Sequence, residues 1–137
     1  MWLDKQHNVL IYDTPLADRV SKTVPGSRRL SNGYVCVPNN LYSIQLCRWL
    51  GLEVPAPMDG EAYEWPGRYQ PFAAQRVTAN FLAVHPRAFV LSDMGTGKTL
   101  AALWAADFIL RQFNGVRVLI VCPLSTMQRV WADAIFT

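Results

Sequence analysis

Residues 89–100 read Phe-Val-Leu-Ser-Asp-Met-Gly-Thr-Gly-Lys-Thr-Leu: an apolar run, a loop holding Gly95 and Gly97, then Lys98-Thr99 at the head of a Leu- and Ala-rich stretch. A polyphosphate needs several backbone N–H groups aimed inward, and glycines permit this because they tolerate positive φ and carry no side chain to block approach. Lys98 brings a cation for β- and γ-phosphates, Thr99 a hydroxyl for Mg²⁺, and a helix beginning there turns its positive end to the anion. The candidate nucleotide-binding residues are therefore Met94, Gly95, Thr96, Gly97, Lys98, Thr99 and Leu100, with Lys98 and Thr99 placed to bear on catalysis. The general P-loop pattern has Gly five positions before Gly97; here Ser92 stands there, and a small residue still fits.

The flanks supply a fold expectation. Ala88–Ser92 reads as a strand, the run from Lys98 to Asn114 as a helix apolar nearly all round, and Val116–Cys122 as a continuous apolar strand of the buried parallel type. The right-handed crossover rule then makes the two strands parallel, with the helix on one face. Upstream, Pro71 opens a helix reaching about Val84; downstream, Pro123 closes the second strand and Ser125-Thr-Met-Gln128 fits a capping box for a last helix. The expected class for 71–137 is α/β, a parallel sheet with flanking helices.

Residues 1–54 read differently. Val9–Tyr12 and Tyr34–Val37 are short strands, Asn32-Gly33 a tight turn, and Pro15 to Lys22 a short helix; Asn39 or Asn40 caps a second helix, Leu41–Leu50, with Gly51 at its C-terminal left-handed position. This β-α-β-α order predicts a small α+β module. Between the two lies a stiff linker, 55–70, with Pro55, Pro57, Gly60, Pro66 and Gly67, whose aromatics Tyr63, Trp65 and Tyr69 are expected to pin it to a neighbouring surface.

Hydrophobic residues make up 51% of the 137 and aromatics 12%, which excludes a disordered chain. No apolar run approaches the ~18 residues of a membrane span, and the N-terminus lacks an apolar signal core, so no membrane association and a cytoplasmic location are expected. Cys36, Cys47 and Cys122 are widely spaced and read as buried free thiols; His7 and His85 lack ligand spacing. The net charge of +3 is concentrated in residues 1–51, where six Lys/Arg face Asp4, Asp13 and Asp18. An anionic partner is looked for there, with Arg28 and Arg29 as candidate phosphate contacts.

Gln75, Gly95 to Thr99, and Pro123-Leu-Ser125 followed by Trp131 occur in an order that resembles the start of the first RecA-like lobe of superfamily-two helicases, specifically the Swi/Snf-like DNA translocases and their phage relatives. The resemblance covers residues 69–137. It implies an incomplete P-loop helicase lobe binding ATP and Mg²⁺, with Gln75 reading the adenine edge beside the aromatic Phe72, and with Ser125 and Thr126 offering hydroxyls and N–H groups to a DNA phosphate. Trp131 comes one residue later than the usual Swi/Snf spacing, which places the chain nearer the phage-like members. Residues 9–54 resemble, less closely, the HARP-type module that precedes the motor in annealing helicases, through Tyr12-Asp13, Pro25-Gly-Ser-Arg28 and the strand ending at Pro38. That likeness implies a DNA-binding accessory module.

No Asp-Glu pair follows Thr99, and neither an arginine finger nor a second lobe has a counterpart in these residues. The expectation is thus the ATP-binding N-terminal portion of a DNA helicase or translocase, stopping before the Mg²⁺-binding acidic motif and inactive by itself. The rival readings are a non-catalytic nucleotide- or DNA-binding module, acting alone or with a second polypeptide that carries the remaining motifs, and a different P-loop enzyme such as a kinase.

Overall fold

The computed structural model describes residues 1–59 and 63–137, so the expectation placed on Gly60 lies outside the described residues. The chain divides into two units, Met1–Pro55 and Ala56–Thr137.

The first unit is built on four strands, β1 (Trp2–Asp4), β2 (Val9–Tyr12), β3 (Arg28–Arg29) and β4 (Val35–Pro38), in the spatial order β1-β2-β4-β3 with every pairing antiparallel. Register explains its one-sided core. Leu10 lies opposite Val37 and Tyr12 opposite Val35, and all four are buried, while their sequence neighbours Ile11 and Cys36 are only partly covered. Alternation of period two puts those four side chains on one face. The helices α1 (Ala17–Thr23) and α2 (Leu41–Trp49) supply Val20, Leu41, Ile44 and Cys47 to the buried set. Each such side chain stabilises the unit by about 1.5–3 kcal/mol relative to exposure.

Local signals set the ends of these elements. The Asn40 side chain accepts from the Ser43 N–H at 2.9 Å and caps α2, and Gly51 follows the helix at φ 83°. At the Asn32-Gly33 turn, Gly33 takes φ 87° and the Asn32 carboxamide oxygen accepts from the Tyr34 N–H. Pro15 stands two residues before α1 instead of at its first position, because the Thr14 hydroxyl accepts from the Leu16 N–H and helical structure starts at Ala17.

The second unit corrects the expected parallel sheet. Residues 88–92 and 116–122 belong to no strand, and the four-stranded sheet of the described residues lies wholly in the first unit and is antiparallel. Leu91, Leu119 and Val121 are 95%, 87% and 88% exposed, so these segments do not carry the buried side chains their hydrophobicity announced. The chain is therefore a mixed α/β protein and not a parallel-sheet RecA-like lobe. An apolar run provides strand propensity, but a ladder needs neighbours, and two short segments without further strands on either side gain too little burial to offset the entropy of pairing.

Helices carry this unit instead. α3 (Ala73–Val84) packs on α4 (Lys98–Gln112) through faces that include Ala79 and Ala83 on one and Ala101 and Ala105 on the other, small residues that let helix axes approach closely. Towards the C-terminus come α5 (Leu124–Thr126), a π-helical segment Met127–Ala132 and α6 (Asp133–Ile135). The predicted capping box does not form: the helix starts two residues early, after Pro123, and Ser125 makes no cap bond. Among the described residues no helix is long and apolar enough to cross a membrane.

Candidate nucleotide-binding site

The loop from Ser92 to Gly97 is shaped by its two glycines, Gly95 at φ 80° and Gly97 at φ 76°. Both are left-handed, a region disfavoured for any residue with a Cβ. Between them the Thr96 hydroxyl donates to the Asp93 carbonyl at 2.9 Å. The Lys98 ammonium folds back over the loop and donates to the carbonyl oxygens of Ser92 at 2.7 Å and Asp93 at 2.5 Å. Gly97 is the N-cap of the fifteen-residue α4 and has no side chain to offer the first N–H groups of the helix. A cation and the positive end of a long helix therefore meet at one loop, the arrangement that attracts phosphate.

The second element of the site comes from α3. Gln75 is buried, 5% exposed, and both ends of its carboxamide are engaged: the oxygen accepts from the Phe72 N–H at 2.9 Å, and the nitrogen donates to the Gly97 carbonyl at 3.3 Å. A Cβ on Gly97 would stand 2.0 Å from that nitrogen. Gly97 is thus required twice, for its backbone conformation and for the space that Gln75 fills. Phe72, at the N-cap of α3, is 76% exposed beside it.

The remaining predicted residues are placed as follows. Met94 is 98% exposed, Thr96 is exposed, and Thr99 and Leu100 are half-buried in the first turn of α4. Thr126 spends its hydroxyl on the Pro123 carbonyl at 2.9 Å, and Ser125 is exposed. Both lie at the start of the C-terminal helical stretch. Arg28 and Arg29 are exposed on β3 of the first unit, and Arg29 is committed: it pairs with Asp18 and donates to the Gly33 carbonyl at 3.2 Å. Of the three cysteines only Cys47 is buried, its thiol pushed up by that burial.

The aromatic segment expected to pin itself to a neighbouring surface does so on α4 through Tyr63 and Trp65, and what sequence reasoning missed is Asn80, the polar hub that holds the preceding residues to α3. Asn80, 7% exposed, accepts from the Met58 N–H at 2.8 Å and donates to the Asp59 carboxylate at 3.1 Å and the Arg76 carbonyl at 3.0 Å. Farther along, the Trp104 indole donates to the Pro66 carbonyl at 2.9 Å, and the Tyr63 hydroxyl lies 3.1 Å from the Trp104 carbonyl and 3.0 Å from Asp107, which also pairs with Arg111. Burial, and then the bond to Asp107, push the Tyr63 hydroxyl well above the ordinary tyrosine range. The density of aromatic residues at 63–69 was the signal for that pinning. A cleft of about 380 Å³ runs along α4, lined by Tyr69, Leu100, Leu103, Trp104, Ile120 and Ile135; Lys98 and Thr99 do not line it.

Mg²⁺ keeps most of its water and asks for few protein ligands beside substrate phosphates, which one hydroxyl such as that of Thr99 fits. Comparison of the chain with protein-family models, curated proteins and solved structures found no match.

Proposed function

We propose that the chain binds ATP·Mg²⁺ at Met94–Leu100 and serves as the ATP-binding portion of a DNA helicase or translocase. The observation that carries the reading is the junction of Gln75 with Gly97. Two residues 22 apart in sequence, each picked out by a nucleotide-binding argument, support one loop. In this reading Lys98 leaves the Ser92 and Asp93 carbonyls for the phosphates, the α4 N-terminus receives the anion, and Thr99 reaches the metal through its hydroxyl. Gln75 holds the loop, both ends of its carboxamide being engaged by Phe72 and Gly97. The DNA half of the proposal is supported by the order of Gln75, Gly95–Thr99 and Pro123–Ser125, and by the basic excess of residues 1–51.

A second reading, a module that binds nucleotide without turning it over, alone or with a second polypeptide, is favoured by the exposure of Leu91, Leu119 and Val121. Calorimetry tests what the two share. Lys98→Ala removes a charge-assisted contact of about 1.5–3 kcal/mol and is expected to lower Mg·ATP affinity roughly tenfold or more. Equal affinity of wild type and variant would remove the phosphate-loop assignment. Lys98-dependent, DNA-stimulated phosphate release of ~1 s⁻¹ or faster would separate the readings in favour of a motor.

A further inference from the structure

Residues 116–122 belong to no strand, yet their side chains sort by parity. Val118 and Ile120 line the cleft along α4. Leu119 and Val121 are 87% and 88% exposed, while Ile120 and Cys122, which alternate with them, are half-covered. This is the alternation of an extended segment with one face on a helix and the other bare. Among the described residues no backbone hydrogen bond joins 116–122 to another part of the chain, so its N–H and C=O groups form an open edge.

Composition identifies the occupant. From Val118 to Cys122 there is no charge, glycine or proline, and Val118, Ile120 and Val121 are β-branched, the profile of a segment that pairs with its own copy. The other bare stretch, 88–92, is blocked at its end: Leu91 is 95% exposed, but the Lys98 ammonium occupies the carbonyls of Ser92 and Asp93. A second copy of 116–122 supplies backbone partners and apolar neighbours together. Antiparallel pairing about a two-fold axis at Ile120 sets Val118 opposite Cys122 of the second copy and Leu119 opposite Val121, apolar on apolar throughout. An axis at Leu119 would put Arg117 against Val121, and one at Arg117 would bring two like charges face to face. Pro123, without an N–H, ends the ladder. Two strands need a helix beneath them to be stable, and α4 already lies along Val118 and Ile120.

The area available sets the strength. Val116, Val118, Leu119, Val121 and Leu124 are 44% to 88% exposed. At ~60–120 Å² of apolar area per fully exposed side chain, they offer ~200–400 Å² per copy. Specific interfaces start near ~500 Å² a side, so with the strand backbones added the contact is weak and concentration-dependent.

We propose that the protein forms a two-fold dimer in which residues 118–122 of two copies pair as antiparallel strands across this open edge. The proposal does not rest on the nucleotide reading.

The test is sedimentation equilibrium of the full chain, kept reduced, from about 1 to 100 µM, the range in which a weak dimer assembles. A mass that rises to two copies and no further is expected. Leu119→Lys with Val121→Lys sets like charges opposite each other across the pair and is expected to weaken association roughly tenfold or more. Both side chains are exposed, so the far-UV circular dichroism of that variant should match wild type. Leu91→Lys is expected to stay within about twofold. Mild oxidation reads the register: Val118→Cys should give a dimer bonded between position 118 of one copy and Cys122 of the other. Within one copy an extended chain holds these positions about 13 Å apart, too far for a disulfide. A monomer at every concentration would overturn the proposal and leave the edge to a different polypeptide. Growth beyond two copies, a dimer indifferent to the lysines at 119 and 121 or broken by Leu91→Lys, or a cross-link confined to the two Cys122 would overturn it as well.

Discussion

The Gln75 carboxamide nitrogen donates to the carbonyl oxygen of Gly97 at 3.3 Å while its oxygen accepts from the Phe72 N–H. One buried side chain therefore ties the start of α3 to the residue that caps α4. Removing it takes a support from the loop before it takes a contact from any base. Gln75→Ala is expected to weaken ATP, GTP and inorganic tripolyphosphate together, by roughly two- to tenfold, as for the loss of hydrogen bonds of about 0.5–1.5 kcal/mol. Parallel titrations of the three ligands check this, and a loss confined to ATP would assign the carboxamide to the adenine edge.

Gly95 and Gly97 are both left-handed, but only Gly97 has a neighbour where a Cβ would go. Gly95→Ala should cost about 1–2 kcal/mol of backbone strain. Gly97→Ala adds displacement of Gln75, so its urea midpoint should fall further and its nucleotide affinity with it. The ordering of the two variants in denaturation curves is the measurement; equal midpoints would show that Gln75 moves aside freely.

Asn80 is the polar hub of the segment before α3. In Asn80→Leu the Met58 N–H loses its acceptor, and a buried donor left unpaired costs about 1–3 kcal/mol. Hydrogen exchange at the Met58 amide should accelerate by roughly fivefold or more, from local opening of the segment before α3. Leu10 in the first unit, read in the same experiment, should keep its protection.

Alkaline pH has a defined sign. Tyr12 and Tyr63 both titrate above the ordinary tyrosine value of 10.0, with burial the leading cause in each. For Tyr12 the hydroxyl lacks a strong partner among the described residues and faces the Cys47 thiol; for Tyr63 a phenolate would confront Asp107. A raised folded value means that stability is fully present below pH 10 and is lost as pH climbs through the folded values. Denaturant midpoints should therefore stay flat with respect to these groups up to about pH 10 and fall beyond it. Phenolate absorbance should show part of the tyrosine population titrating late, and Tyr63→Phe should shrink that part. Early titration of all five tyrosines, counted from the sequence, would contradict the burial of these two.

The sequence by itself determined whatever is settled within a few residues of chain. An asparagine cap before α2, which the structure gives to Asn40 and not Asn39, the left-handed Gly33, Gly51, Gly95 and Gly97, and the start of α4 at Lys98 follow from φ preferences and capping chemistry that need no distant partner. The β-prone runs Val9–Tyr12 and Tyr34–Val37 likewise marked strands, through the preference of branched and aromatic side chains for extended backbone. Only the tertiary structure decided the rest. Val116–Cys122 has the hydrophobicity of a buried strand, yet its burial depended on neighbours elsewhere, and the Leu119 and Val121 side chains stand in solvent. β3 is two residues long and exists because β4 offers it a ladder. The junction of Gln75 with Gly97, the hold of Asn80 on Met58 and that of Trp104 on Pro66 join residues 22 to 38 positions apart. No local propensity encodes such distances; they arise when α3 and α4 pack and buried polar groups must find the partners that packing brings within reach.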